Sequence, residues 1–218
     1  MNVLHLFHGA GGGLLAEQLL GHSCCCAVEI EADCVRMLQQ RQRDGVLPWF
    51  PIANDVRYFD GRPWRGIAQV VAGGFPCQDI SVAGKGAGIG GDRSGLWSHF
   101  ARIIGEVQPQ YVFVENSPAL LSARKTTGIL TEMVDSLFGR TRHREIIDLR
   151  IRQPDAYRVL GDLAAMGFDA EWGVVSAEDA IWLGGTPAVD HLRERIWVVA
   201  RAIHWYSNHM HDRTKQEV

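Results

Sequence analysis

The chain has 218 residues, 46% of them hydrophobic, and 22 Lys and Arg against 25 Asp and Glu give it a formal charge of −3. Such a composition suits one folded domain with a sizeable core and excludes a disordered polymer; it offers nucleic acid no global attraction, so any such contact is local or comes from another chain. No apolar run reaches the length of a membrane span, and the N-terminus lacks the charged-then-apolar layout of a signal peptide, so a cytoplasmic location and no membrane partner are expected.

The first predicted strand covers 3–7 and runs into a glycine-rich turn, His8 to Gly13, followed by a helix over 14–20 that Gly21 ends. A second strand over 24–30 contains three contiguous cysteines. Neighbours on a strand face opposite ways, so Cys24, Cys25 and Cys26 read as core rather than as a disulfide framework or one metal site. Glu29 stands near the end of that strand, where a carboxylate can accept both hydroxyls of a ribose. Asp55 follows in the stretch 52–56, as a turn residue or a ligand contact.

An apolar run over 68–72 reads as a buried strand, and past its carboxyl end comes Gly73-Gly74-Phe75-Pro76-Cys77-Gln78-Asp79-Ile80-Ser81. Open α/β sheets place their chemistry at that edge, and Pro76 stiffens the loop that presents the thiol. By residue type alone, a lone cysteine is more often a small buried hydrophobe. The segment 84–92 is glycine-rich, either a loop that closes over substrate or a plain linker. A helix over 98–107, stopped by Pro109, precedes a strand over 111–114 that delivers Glu115, Asn116 and Ser117 to the same edge, as site residues or as a helix cap.

Between 125 and 157 several arginines alternate with acids, which reads as a solvated surface, with phosphate contact as the alternative. A helix over 159–166 stopped by Gly167, a strand over 170–176, and a last strand over 196–200 preceded by Arg193-Glu194-Arg195 complete the ordered part. Residues 201–218, with His204, His209 and His211, read as a polar tail rather than a metal site.

The block GGFPCQxxS resembles the catalytic motif of the cytosine-C5 DNA methyltransferases, and further motifs of that family follow the same order here. Phe7, Gly9, Gly11 and Gly12 match LFxGxGG, the loop that holds S-adenosylmethionine. The resemblance implies that Glu29 binds the ribose, Ile30 packs on adenine, Asp55 and Val56 meet the adenine edge, and Pro76 and Leu96 complete the cofactor site. It gives Cys77 the role of nucleophile and Glu115, in a Glu-Asn-Ser version of Glu-Asn-Val, that of holding the cytosine N3 edge. Arg195 would contact the flipped nucleotide and Arg193 brace the site, with His191 where QxRxR has Gln.

What the family implies is an α/β, Rossmann-like S-adenosylmethionine-dependent methyltransferase fold, a mostly parallel sheet with helices on both faces. Residues 1–200 would form the catalytic domain and 201–218 the tail. The activity implied is DNA (cytosine-5-)-methyltransferase, through a covalent Cys77 adduct at C6 of a base turned out of the duplex. A tRNA cytosine-C5 methyltransferase and a truncated, inactive S-adenosylmethionine-binding remnant are the alternatives. The family's sequence-reading region and its last two motifs have no match, so a second chain supplying target recognition is among the expected partners.

Overall fold

The structure is a computed structural model that describes residues 1–76, 95–121, 155–176 and 194–203. Cys77, the segment 84–92, His191, Arg193, most of the 125–157 stretch and residues 204–218 lie outside the described residues. Seven strands form one sheet: β1 (Asn2–Leu6), β2 (Ser23–Val28), β3 (Ile52–Ala53), β4 (Val70–Gly73), β5 (Tyr111–Asn116), β6 (Phe168–Val175) and β7 (Arg195–Ala202), in the order β3-β2-β1-β4-β5-β7-β6. The first five pair in parallel, and β7 lies antiparallel between β5 and β6.

The central strands are nearly continuous apolar runs, as strands covered on both faces must be. Leu4, Leu6, Val71, Val112, Val114, Ile196 and Val198 share one core. Over it lie α3 (Gly95–Val107) and α4 (Asp155–Ala165). In α3, Trp97, Phe100, Ile103, Ile104 and Val107 recur at helical spacing and all are buried, which makes one stripe of that helix apolar. Trp97 Nε1 donates to Asp162 Oδ2 at 2.7 Å, so the indole is both buried and satisfied where α3 meets α4.

Residues that alternate with these on the strands point the other way. Ala27 joins Leu14 of α1 (Gly12–Leu19) and Leu38 of α2 (Ala32–Arg43) in a separate cluster, so helices cover both faces, as the family resemblance implies. Cys26 is buried and Cys24 and Cys25 half-buried; all three are free, and burial pushes their thiols up, which fits packing rather than reactivity. Among the described residues no helix is long and apolar enough to cross a membrane.

Boundaries differ from the sequence expectation at the site-bearing edge. The strand expected to stop at Val114 continues to Asn116, because Glu115 and Asn116 pair with Trp197 and Ile196 of β7. Glu115 is therefore a strand residue and not a helix cap. The longest unannounced element is α2, whose only buried side chain is Leu38.

Candidate active site

The loop after β1 begins with Phe7 in the left-handed region, φ 54, an uncommon conformation for a non-glycine residue. Its ring stacks on Phe100 of α3 with centroids 6.2 Å apart, so packing holds the turn. Two residues on, the Gly9 N–H donates to Glu29 Oε2 at 2.5 Å, and the Glu31 N–H donates to Glu29 Oε1 at 2.8 Å. Glu29 is buried, and its carboxylate ties the glycine turn to the start of α2. Each oxygen retains acceptor capacity beyond its backbone donor.

Beside this carboxylate lies a cavity of about 670 Å³ at the carboxyl ends of β1, β2, β3 and β4. Phe7, Gly9, Glu29 and Ile30 line it from the first half of the sheet, and Asp55, Val56, Pro76 and Leu96 from later segments. Eight of the ten residues expected to bind cofactor thus meet in one place. The other two, Gly11 and Gly12, stand outside the lining: Gly11, with φ 102, is the N-cap of α1, and Gly12 is its first residue. Ile30 is 57% exposed, an apolar side chain presented rather than packed.

Sequence reasoning missed several lining residues, among them Asn54, Arg57 and Gly74. Arg57 clamps Asp55: its N–H donates to Oδ1 at 2.9 Å, Nε lies 3.0 Å from each oxygen, and Nη2 donates to Oδ2 at 2.7 Å. These hydrogen bonds hold the Asp55 carboxyl below the usual range. The Asp-x-Arg spacing was the available signal. Chemically, the cavity sets three carboxylate residues, Glu29, Glu31 and Asp55, among apolar side chains, an acceptor set suited to a nucleoside.

The edge that carries the expected catalytic residues is built from β4, β5 and β7. A Cβ on Gly73 would overlap the Leu6 carbonyl oxygen, and a Cβ on Gly74 would overlap Glu115 Oε2. Gly73 is therefore required by close approach to backbone, whereas Gly74 leaves room for the end of the Glu115 side chain. Asn116, buried on β5, donates from Nδ2 to the Phe75 carbonyl at 3.1 Å, and Phe75 packs against Trp97 at 5.5 Å between centroids. The chain is thus braced up to Pro76, beyond which Cys77 lies outside the described residues.

Glu115 Oε1 meets Arg195 Nε at 2.6 Å, each side chain about a third exposed. The structure brings these two expected catalytic residues together, and both line a second cavity of about 830 Å³. Phe7 and Gly74 border both cavities, which places the acid next to the nucleoside-type site. Behind Glu115 the second cavity reaches His5 and His8, whose rings are 4.9 Å apart. Burial lowers His5 from 6.5 to about 3, helped by His8, and lowers His8 to about 4, partly opposed by Glu29.

A seven-stranded sheet with one antiparallel strand inserted next to the edge, and a nucleoside-type cavity at its carboxyl ends, defines a Rossmann-like methyltransferase. The family described as C-5 cytosine-specific DNA methylase matches residues 1–139, and the chain belongs to that family. It is 33% identical over 180 residues to the type II methyltransferase M.Eco47II of Escherichia coli, covering 78% of this chain and 42% of that one. It is 34% identical over 121 residues to the type II methyltransferase M.NgoMIV of Neisseria gonorrhoeae, covering 56% of this chain and 37% of the other.

Among solved structures, the S. pombe Dnmt2 methyltransferase superposes with a TM-score of 0.61 at 16% identity, over 93% of this chain and 51% of that one. A putative DNA modification methyltransferase encoded within an E. coli prophage does so with a TM-score of 0.57 at 19% identity, over 94% and 48%. These two show the fold. The chain spans less than half the length of the curated relatives named here.

Proposed function

We propose that this chain carries the cofactor site and catalytic edge of a DNA (cytosine-5-)-methyltransferase of the restriction-modification type, working on duplex DNA with S-adenosylmethionine. One observation carries the reading: motif-matched residues from five separate segments line a single cavity that adjoins the one holding Glu115 and Arg195. Glu29 would accept the ribose hydroxyls with the lone pairs its two backbone donors leave free. Asp55 and Val56 would meet the adenine edge, and Ile30 would cover the ring. Bound there, S-adenosylmethionine supplies an electrophilic methyl group.

Cytosine C5 is a poor nucleophile until a thiolate adds to C6. Cys77 is assigned that addition. Glu115, against the bare Cα of Gly74, would engage N3 and accommodate the charge that develops on the ring, with Arg195 holding the other carboxylate oxygen. Loss of the C5 proton and departure of the thiol would release the product. The base must leave the stack to be reached, and target recognition is assigned to polypeptide outside these 218 residues, in the same protein or on a second chain.

The test is transfer of labelled methyl from S-adenosylmethionine to duplex DNA and, in parallel, to tRNA. Label in DNA that disappears in Cys77→Ala, with cofactor binding retained, is the expected result. Label in tRNA alone would move the substrate assignment. Cofactor binding with no transfer to either, even after candidate partner chains are added, would leave a binding remnant and sink the enzyme reading.

A further inference from the structure

Arg102 lies on α3 beyond Leu96 and does not line the cofactor-type cavity. Its guanidinium nevertheless reaches the turn that follows β3. Nη2 donates to the Val56 carbonyl at 2.8 Å and Nη1 to the Phe59 carbonyl at 2.9 Å, while Nη1 also meets Glu106 Oε1 at 2.7 Å. Glu106 Oε2 in turn accepts the Gly61 N–H at 2.8 Å. One ion pair on α3 therefore grips the turn from Val56 to Gly61 by backbone groups alone.

The peptide between Val56 and Arg57 turns this grip into a site device. In a trans peptide the carbonyl and the following N–H point to opposite sides. Because the Val56 carbonyl is drawn to Arg102, the Arg57 N–H faces the other way, and there it donates to Asp55 Oδ1 at 2.9 Å. The guanidinium holds one side of that peptide plane and the Asp55 carboxylate is held by the other. Arg102 thereby fixes the peptide whose N–H, together with the Arg57 side chain, holds Asp55 beside the cavity.

We propose that Arg102 is a positioning residue for recognition of the cofactor's base, acting through the 56–57 peptide on Asp55. The inference rests on the reading that Asp55 and Val56 meet adenine. Adenine offers an amino donor to a carboxylate, whereas hypoxanthine offers a carbonyl acceptor at the same position and is repelled. A correctly aimed Asp55 therefore discriminates between the two, and a misaimed one does not. Lysine at position 102 keeps the charge but cannot fork to two carbonyls and a carboxylate.

The experiment is calorimetric titration of the full chain with S-adenosylhomocysteine and with S-inosylhomocysteine, for wild type, Arg102→Lys and Ile30→Ala. In Arg102→Lys the adenosyl compound should bind about tenfold more weakly with the inosyl compound nearly unchanged, so the preference for adenine collapses. Ile30→Ala, which removes only ring contact, should weaken both in parallel. A preserved preference in Arg102→Lys would overturn the proposal and leave Arg102 as a fold contact. Wild type that binds neither compound would overturn the cofactor reading and this inference with it. If Arg102→Lys does not fold, Glu106→Gln, which removes the charge that aligns the guanidinium with the Val56 and Phe59 carbonyls, must lower the preference, and an unchanged preference there overturns the proposal equally.

Discussion

Two carboxylates stand at neighbouring ends of the same sheet and are held in different ways. Glu29 is buried and fixed by two backbone N–H donors, from Gly9 and Glu31. Glu115 is about a third exposed and is held by one arginine side chain on one oxygen, with the missing side chain of Gly74 leaving room for the other. The first is placed by the backbone, the second by space and one ion pair. Under the proposed function, Glu29 binds a constant ligand, which calls for the first arrangement, and Glu115 meets a base arriving from outside, which calls for the second.

The adjacent glycines break this contrast most severely. Gly73→Ala would drive a methyl group into the Leu6 carbonyl of the neighbouring central strand, where neither backbone can retreat. A loss near the upper end of the overpacking range, about 3 kcal/mol, is expected in urea unfolding. Gly74→Ala meets a side chain that can move, so stability should fall much less while methyl transfer drops by an order of magnitude or more, about 10-fold. Equal stability losses in the two variants would show that Glu115 is as rigidly held as the strand.

Exchanging carboxylate for amide separates the two regions next. Glu29→Gln turns one acceptor oxygen into a donor facing a backbone N–H, and a charge-assisted hydrogen bond of this kind contributes about 2 kcal/mol. Cofactor affinity should weaken accordingly in a calorimetric titration. Glu115→Gln should leave that affinity unchanged and cut the transfer rate. Cofactor binding that suffers equally in both variants would mean that the cavities are not functionally distinct.

How much of this was legible beforehand follows the same division. The strands of the central sheet and the stripe of α3 could be read because dense runs of Val, Leu, Ile and aromatic residues leave few alternatives. The cofactor-type residues were found through contiguous motifs, since a glycine turn and a following acid are local features. The clamp of Arg57 on Asp55 was at least visible as a spacing. The grip of Arg102 and the identity of the group that approaches Gly74 were not, because each depends on a contact between segments distant in sequence. The end of β5 was misread for a similar reason: Glu and Asn disfavour strands locally, and the ladder with β7 overrides that preference. The helix α2 was passed over although Cys34, Val35 and Leu38 stand at helical spacing, because that apolar stripe is short and most of the rest of the helix is charged or amide-bearing.

The histidines behind Glu115 extend the contrast to pH. Burial pushes His5 down to about 3 and His8 down to about 4 in the folded protein, from an ordinary value of 6.5. Below pH 6.5 the unfolded chain takes up protons that the folded one refuses, so stability is complete above that pH and falls as the solution is acidified towards pH 4. Two such groups would remove on the order of 2 kcal/mol between pH 7 and pH 5.5. Urea midpoints across that range, for wild type and for His5→Leu with His8→Leu, provide the check: the double variant should flatten the profile, and a flat wild-type profile would mean that the pair is not held neutral by the fold.

The smallest effect concerns Arg195. Its ion pair with Glu115 is about a third exposed on each partner, and solvent-screened pairs contribute roughly 0.2–1 kcal/mol to folding. Arg195→Gln should therefore barely move the urea midpoint, although it removes the only charged group seen on Glu115 among the described residues. Its consequence should fall on the reaction instead, as a lower transfer rate at saturating cofactor with cofactor affinity retained. A large stability loss would place Arg195 with the backbone-held half of the site; a small one, joined to a slow reaction, would confirm that the catalytic edge is held loosely and positioned for use rather than for stability.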